Sequence, residues 1–364
     1  MSCLSEGTDM SKKNIAVIFG GQSSEHDISC ISVCNVIDNI DTDEWNPVLI
    51  GITKDGRWLL ADSAESIRDG SWRASKTSAE ISPDADKKHV IITDADGRVS
   101  EIRLDCPFPV LHGKYGEDGT IQGLFELMQL PYVGCGVLAS AAGMDKFYTK
   151  IIVDTIGVRQ ARFVGVRRYE LKDMDSVIKR AESVLAYPMF VKPSQAGSSC
   201  GVSKVHNSVE LKTALLKAAE FDGKILIEEF IKGREIECAV FGGGMKKVQA
   251  SGVGEILAAA EFYDYDAKYN NPESKTVIDP DLPEDVVEGI RDAARDIFNA
   301  LDGYGLARVD FFVVNNKEIV FNEINTMPGF TAISMYPMLW ENRGISKKAL
   351  VKQLIDNAME REVH

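Results

Sequence analysis

Residues 305–330 read GLARVDFFVVNNKEIVFNEINTMPGF. Two β-rich runs, Leu306–Val314 and Glu318–Ile324, flank Asn315, Asn316 and Lys317, a spacing that predicts a hairpin. Side chains two apart on a strand share a face, so Arg308 points with Asp310 and Glu323 with Asn325. With Asn315 paired to Glu318 across the turn, Asp310 falls opposite Glu323 and Arg308 opposite Asn325. That register gathers two carboxylates, an amide oxygen and a guanidinium on one face. Hard oxygen ligands at close quarters suit Mg2+ beside substrate phosphates, and a neighbouring Arg can stabilise a transferring phosphoryl group or an oxyanion. A wet sheet face with paired opposite charges accounts for the same spacing. The turn Met327-Pro328-Gly329-Phe330 favours the first reading, because a Gly there lets backbone approach a ligand closely.

Composition excludes several classes. A chain of 364 residues, 45% of them hydrophobic, can build one large core or two to three modest domains. Lys+Arg 41 against Asp+Glu 55 leaves a net charge of -14, which argues against non-specific binding of nucleic acid. No apolar run has the length of a membrane span. The start, MSCLSEGTDMSKKN, lacks the apolar core of a signal peptide, so a disordered leader over residues 1–13 and a cytoplasmic location are expected. The seven cysteines are odd in number and form no CxxC, which fits reduced thiols. His26, Cys30 and Cys34 form a stripe on a predicted helix, but a structural zinc site wants four ligands. Small buried thiols explain Cys30 and Cys34 equally well.

Along the chain, Asn14–Phe19 reads as a strand, Gly20-Gly21 as a turn, and about Glu25–Ile40 as a helix with Ile28, Ile31, Ile37 and Ile40 on one side. Ser24 and Asp27 fit a capping box. GGQSSE is not GxGxxG, and GxxxxGK[ST] occurs nowhere, so neither dinucleotide nor Walker-type binding is indicated. Asn46–Thr53 predicts a second strand, residues 54–88 an irregular polar segment, and His89–Thr93 with Val99–Leu104 a hairpin. Pro107–Leu111 and Leu130–Gly134 read as strands, with a helix over about Thr120–Met128 between them. Gly136–Ile156 is helical in pattern. Phe190–Pro193 is a strand opening into Ser194–Gly201, a Gly- and Ser-rich loop whose backbone N–H groups can fold over phosphates or which is a plain hairpin. Leu226–Phe230 and Ile236–Phe241 read as an ordinary hairpin, with Glu228 and Glu229 facing opposite ways. The aromatic, charged segment Glu261–Asn271 suggests a closing loop. Helices are expected over Glu284–Leu301 and over Ser346 to about Glu360, the latter as a packing element.

These motifs together resemble the D-alanine–D-alanine ligase family of ATP-grasp ligases. The resemblance rests on GGQSSEH at 20–26, HGKYGEDGTIQG at 112–123, VKPSQAGSSCG at 191–201, AKY at 267–269, ARVDFF at 307–312, VFNEINTMPGFT at 320–331 and SMYP at 334–337. They arrive in the family's order and span roughly residues 14–360. The resemblance implies an α/β, three-domain ATP-grasp fold with a truncated Rossmann-like N-terminal domain. The divisions expected are 14–134 with the first substrate subsite, 135–227 with the phosphate lid, and 228–364 with the metal site and closing loop.

By the same resemblance, Glu25 contacts the amino group of the first D-alanine, while His112 and Glu117 line its subsite. Lys146 and Lys192 grip the ATP phosphates, Lys268 reaches the γ-phosphate, and Ser199 joins the ATP contacts. Glu228, Glu229, Phe230 and Ile231 hold adenine, Glu235 binds ribose, and Phe312 and Asn322 complete the ATP site. Asp310, Glu323 and Asn325 hold two Mg2+, with Mn2+ as a substitute. Ser198 fastens the lid and links Glu25 to Tyr269, which closes over the acceptor subsite and favours an amine acceptor. Ser334 binds the second substrate's carboxylate, Met335 lines that subsite, and Tyr336 stands behind. Arg308 and the Gly329 N–H stabilise the oxyanion. The implied reaction joins two D-alanines through a D-alanyl phosphate for cell-wall precursor synthesis, in a homodimer that needs neither nucleic acid nor membrane. Two alternatives stand beside it: the same mechanism with D-serine or D-lactate as second substrate, and an ATP-binding module without turnover.

Overall fold

A computed structural model describes residues 12–197, 200–257 and 275–362, which form a mixed α/β molecule with three sheets. The first has seven strands in the spatial order Val99–Arg103, His89–Thr93, Ser78–Ile81, Trp58–Leu60, Trp45–Ile52, Lys13–Gly20 and Cys106–Val110. Lys13–Gly20 pairs in parallel with both of its neighbours. Its residues Ile15 to Phe19 are wholly buried, the continuous apolar run of a strand covered on both faces. The second sheet orders Ser203–Val205, Met189–Pro193, Lys224–Glu229 and Phe163–Arg167. The third orders Lys275–Ile278, Lys246–Leu257, Arg234–Gly243, Gly305–Val314 and Glu318–Asn325.

The first and third sheets share one apolar core. Val33 and Val36 of the helix His26–Ile37 pack in it with Phe330 and Tyr336, and with Leu350 and Leu354 of the C-terminal helix Lys347–Met359. Polar ties run the same way: Asn35 Nδ2 donates to Phe330 O at 2.8 Å, and Phe330 N donates to Ser32 Oγ at 3.3 Å. The first sheet is therefore fixed against the turn that follows the hairpin.

Several expectations are corrected. Residues 54–88 are not irregular: they supply two strands of the first sheet, and Trp72 is 2% exposed. The Trp72 ring lies on Gly51, where a Cβ would come within 2.3 Å of it, and stands edge-on to Phe19. Leu130–Gly134 is no strand, although Val133 N donates to Pro107 O at 2.9 Å. Its neighbour Cys106–Val110 carries Pro107 and Pro109, whose nitrogens have no hydrogen for a further ladder. The helix His26–Ile37 has no capping box, and Ser23 Oγ rather than Ser24 accepts from Glu25 N. Ile31 is 56% exposed, because the buried side carries Ser29 and Ser32, whose hydroxyls bond the first sheet and His112. Leu226–Phe230 and Ile236–Phe241 do not form a hairpin, since their strands belong to different sheets. Cys30 and Cys34 are free and buried, and among the described residues no three or more His, Cys, Asp or Glu side chains are grouped as a metal site would require, so the His26, Cys30 and Cys34 stripe gathers no fourth ligand.

Candidate active site

The hairpin of Gly305–Val314 and Glu318–Asn325 builds the floor of the site. At the charged end its register is the expected one, Arg308 opposite Asn325 and Asp310 opposite Glu323. At the turn it differs: Asn315 and Asn316 are both left-handed, Lys317 N bonds Val314 O, and Val314 rather than Asn315 pairs with Glu318. A bulge between Asp310 and Phe311 absorbs this one-residue offset, leaving Asn322 as the extra residue. Without the bulge Glu323 would lie on the opposite face.

Charge is sorted along this floor. Arg308 Nε and Nη2 each donate at 2.7 Å to the two Asp310 carboxylate oxygens, and Glu237 Oε2 stands 3.1 Å from Arg308 Nε. Asn325 Nδ2 donates to Asp310 Oδ2 at 3.0 Å, and Lys146 Nζ lies 3.2 Å from Glu323 Oε2. Three carboxylates thus face two cations. A few residues away the balance reverses: Lys192 and Lys150 lie 2.6 and 3.1 Å from the single carboxylate of Glu228. Burial pulls each carboxyl toward its neutral form, but Lys146, Lys192 and Arg308 hold Glu323 below the usual carboxylate range, and Lys150 and Lys192 do so for Glu228. Burial pushes Lys150 down. Burial opposes the Arg308 charge, yet Asp310 and Glu237 raise its affinity for the proton.

A cavity of about 640 Å³ opens over this floor. Of the residues singled out from sequence, it is lined by Glu25, Glu117, Lys146, Lys192, Glu228, Glu229, Phe230, Ile231, Glu235, Arg308, Asp310, Phe312, Asn322, Glu323 and Asn325. Glu228 and Glu229 do face opposite ways, the latter pairing with Arg159 and Arg162 at 2.7 and 3.0 Å. Glu25 stands where the first sheet meets the loop after Pro193: a Cβ on Gly113 would be 2.7 Å, and one on Gly197 3.2 Å, from its Oε2. Glu117 accepts from Gly113 N at 2.7 Å and from Met327 N at 2.9 Å. Burial first, and Glu25 second, push its carboxyl up to about 7.

Four singled-out residues stand behind this lining. His112 is buried, its Nδ1 donating to Met327 O at 3.0 Å and its Nε2 taking a hydrogen bond from Ser32 Oγ at 3.1 Å. The carbonyl partner selects that tautomer, since a carbonyl only accepts. Ser334 heads the helix Met335–Asn342, with its Oγ bonded to Thr331 N and Oγ1. Gly329 lies against it, a Cβ there falling 2.9 Å from Ser334 Oγ, and Met335 is buried against Gly254. Ser198, Ser199, Lys268 and Tyr269 lie outside the described residues.

Three contributors were not singled out from sequence. Lys150 sits one turn after Lys146 on the helix Lys146–Thr155, and that i, i+4 spacing was a usable signal. Asp145 breaks the helical run before Lys146 and accepts from Ser194 Oγ at 2.5 Å and Gln195 Nε2 at 3.1 Å. Glu237 carried no local signal, because it meets Asp310 only by pairing of distant strands.

The sequence matches the family described as D-ala D-ala ligase N-terminus over residues 14–135 and that described as D-ala D-ala ligase C-terminus over residues 152–356. The D-alanine--D-alanine ligase of Acetivibrio thermocellus is 51% identical over 365 residues, covering 96% of each chain. That of Ruminiclostridium cellulolyticum is 49% identical over 366 residues, covering 97% of this chain and 96% of the relative. Among solved structures, the VanG D-Ala:D-Ser ligase from Enterococcus faecalis superimposes with a TM-score of 0.87 at 37% identity, covering 96% of this chain and all of that one. The D-alanine-D-alanine ligase from Coxiella burnetii gives 0.85 at 35% identity, covering 96% and 95%.

Proposed function

Because the chain belongs to the D-alanine–D-alanine ligase family, ATP-consuming enzymes that form a carbon–nitrogen bond, we propose that the cavity over the Arg308 hairpin is where that bond is made. The product is D-alanyl-D-alanine. The observation that carries the site assignment is the sorting of charge: a cationic end at Lys192, with Lys150 buried behind it on Glu228, and an anionic end at Asp310, Glu237 and Glu323. The first suits phosphates, and the second suits a hard divalent cation.

ATP enters with its adenine against Glu228, Glu229, Phe230, Ile231 and Phe312, its ribose at Glu235, and its phosphates toward Lys146, Lys192 and Asn322. Two carboxylates and an amide oxygen at Asp310, Glu323 and Asn325 are a hard donor set that fits Mg2+. Bound there, the ion lowers the repulsion between two anionic reactants. A carboxylate oxygen of the first D-alanine attacks the γ-phosphorus, ADP leaves, and D-alanyl phosphate forms. Glu25 holds the ammonium group of that D-alanine, and Glu117 and His112 fix the wall beside it. The amine of the second D-alanine then attacks the acyl carbon, losing a proton as inorganic phosphate departs. Arg308 and Gly329 N–H offset the charge on the tetrahedral oxygen. Ser334 and Met335 receive the second D-alanine, and Ser198, Ser199, Lys268 and Tyr269 keep the roles that the motifs suggest. Closure matters because an acyl phosphate open to water hydrolyses.

We divide the chain at 14–134, 135–227 and 228–364, a reading supported by one sheet for each part, with the second sheet's strand Lys224–Glu229 running two residues past the last boundary. We also assign it to a cytoplasmic homodimer; among the described residues no helix is long and apolar enough to cross a membrane. The likeness to a D-Ala:D-Ser ligase favours D-serine as the rival second substrate. Phosphate release with ATP, Mg2+ and D-alanine, with D-serine or D-lactate in competition and the products identified, tests the reading. D-Ala–D-Ala as the main product supports it, D-Ala–D-Ser or D-Ala–D-lactate as the main product moves the specificity, and no D-alanine-dependent release overturns it.

A further inference from the structure

We infer that Glu237 is a positioning residue of the ligation: from the neighbouring strand it holds the Arg308 guanidinium in the orientation that meets the reacting centre. The inference rests on the function proposed above. Arg234–Gly243 pairs antiparallel with Gly305–Val314, and that register sets Glu237 opposite Asp310. Both are acidic, and like charges directly opposite each other on a sheet are unfavourable unless a cation lies between them. Arg308 is that cation. Its Nε lies 2.7 Å from Asp310 Oδ1 and 3.1 Å from Glu237 Oε2, and its Nη2 lies 2.7 Å from Asp310 Oδ2. All three side chains are buried, at 6% exposure for Arg308, 7% for Glu237 and 8% for Asp310.

A stable sheet has no need of the second carboxylate. Asp310 alone grips the guanidinium in a bidentate fork and neutralises it, and burying a further charge carries a desolvation penalty. The arrangement makes sense if Asp310 is shared. Its carboxylate also accepts from Asn325 Nδ2, and it stands in the donor set that fits the divalent cation. A carboxylate drawn toward that cation holds the guanidinium less firmly. Glu237, on another strand, keeps Arg308 charge-compensated and fixes its plane from a second direction. An oxyanion donor is effective only when it is aimed before charge develops, so a guanidinium free to swing would lose catalysis while binding ATP as before.

The test measures kcat, KM for ATP and thermal unfolding on the full-length chain for wild type, Glu237→Gln, Glu237→Asp and Arg308→Lys, and for Glu237→Gln combined with Arg308→Lys. Glu237→Gln is expected to lower kcat about 10- to 100-fold with KM for ATP changed less than about threefold. Glu237→Asp, which retains the charge on a shorter arm, is expected to fall between the two and serves if the Gln variant does not fold. In the Arg308→Lys background the further loss is expected to stay below about threefold, as for residues that act through one another. Mn2+ binding, read by electron paramagnetic resonance with a non-hydrolysable ATP analogue, is expected to be unchanged in Glu237→Gln. Full additivity with Arg308→Lys, an unchanged kcat, or a loss of Mn2+ affinity matching the loss of kcat overturns the positioning role. A wild type without D-alanine-dependent phosphate release removes the functional premise instead, and so is told apart from failure at Glu237.

Discussion

Among the described residues Arg308 is the only guanidinium that lines the cavity, and it is gripped through Nε and Nη2 by one carboxylate. Arg308→Lys keeps the charge but loses the planar fork, so kcat is expected to fall about 100-fold, as read by coupled ADP release. A fall smaller than about threefold would mean that charge alone suffices. Glu117 makes a prediction of another kind. Its carboxyl is pushed up to about 7, by burial and then by Glu25, so in the range above the ordinary carboxylate value the folded chain keeps a proton that the unfolded chain has lost. Its contribution to stability is complete below that ordinary range and is lost as pH rises through about 7. Urea unfolding of wild type and Glu117→Gln across that interval checks the sign: wild type should lose stability relative to the variant as pH rises. Parallel curves would contradict it. His112 illustrates what a residue's type leaves open. The resemblance places it at the first substrate subsite, and in the structure both ring nitrogens are taken by Met327 O and Ser32 Oγ, partners that come from distant segments.

Among the elements, the helix Lys146–Thr155 and the root of the loop after Pro193 are built as one unit. Lys146 N donates to Ser194 O and Phe147 N to Ser194 Oγ, each at 3.0 Å, while Asp145 accepts from Ser194 and Gln195 and pairs with Lys224. Asp145→Asn weakens that joint, so KM for ATP is expected to rise about 10-fold with a smaller change in kcat. An unchanged KM would show that the loop is held by other contacts. A cap gives a purely structural test. Asn207 Oδ1 accepts from Glu210 N at 3.0 Å at the head of the helix Ser208–Phe221, and Asn207→Ala is expected to cost about 1 kcal/mol by urea unfolding with activity intact. The opening hairpin shows how far an element is legible. Alternation alone placed Arg308 with Asp310 and Glu323 with Asn325. It did not reveal the bulge at Asn322, because the turn offset and the bulge cancel at the charged pairs.

At the scale of the molecule, the cavity takes Glu117 from the first sheet's segment, Lys192 and Glu228 from the second sheet, and Arg308 and Glu323 from the third. A ligand that fills it therefore stabilises the whole chain. A non-hydrolysable ATP analogue with Mg2+ at 100 times its Kd is expected to add about 2.7 kcal/mol and to raise a single unfolding transition, as read by calorimetry. A transition that splits, with one part unmoved, would place ATP within one unit alone. Short stretches of the chain carry the local grammar: the buried strand Ile15–Phe19, the glycine turns, the two lysines, the Arg308 hairpin and the order of motifs that points to the family. The strand, the turns and the hairpin follow from side-chain periodicity, backbone freedom and charge within short windows, whereas the two lysines are read from the resemblance to the family. Long-range packing sets the rest: Trp72 closes over Gly51, the strands at Glu228 and Glu235 part into different sheets, and Glu237 meets Arg308. Such contacts join positions far apart in the chain, and their register is chosen by the packing of the whole sheet rather than by any window of sequence.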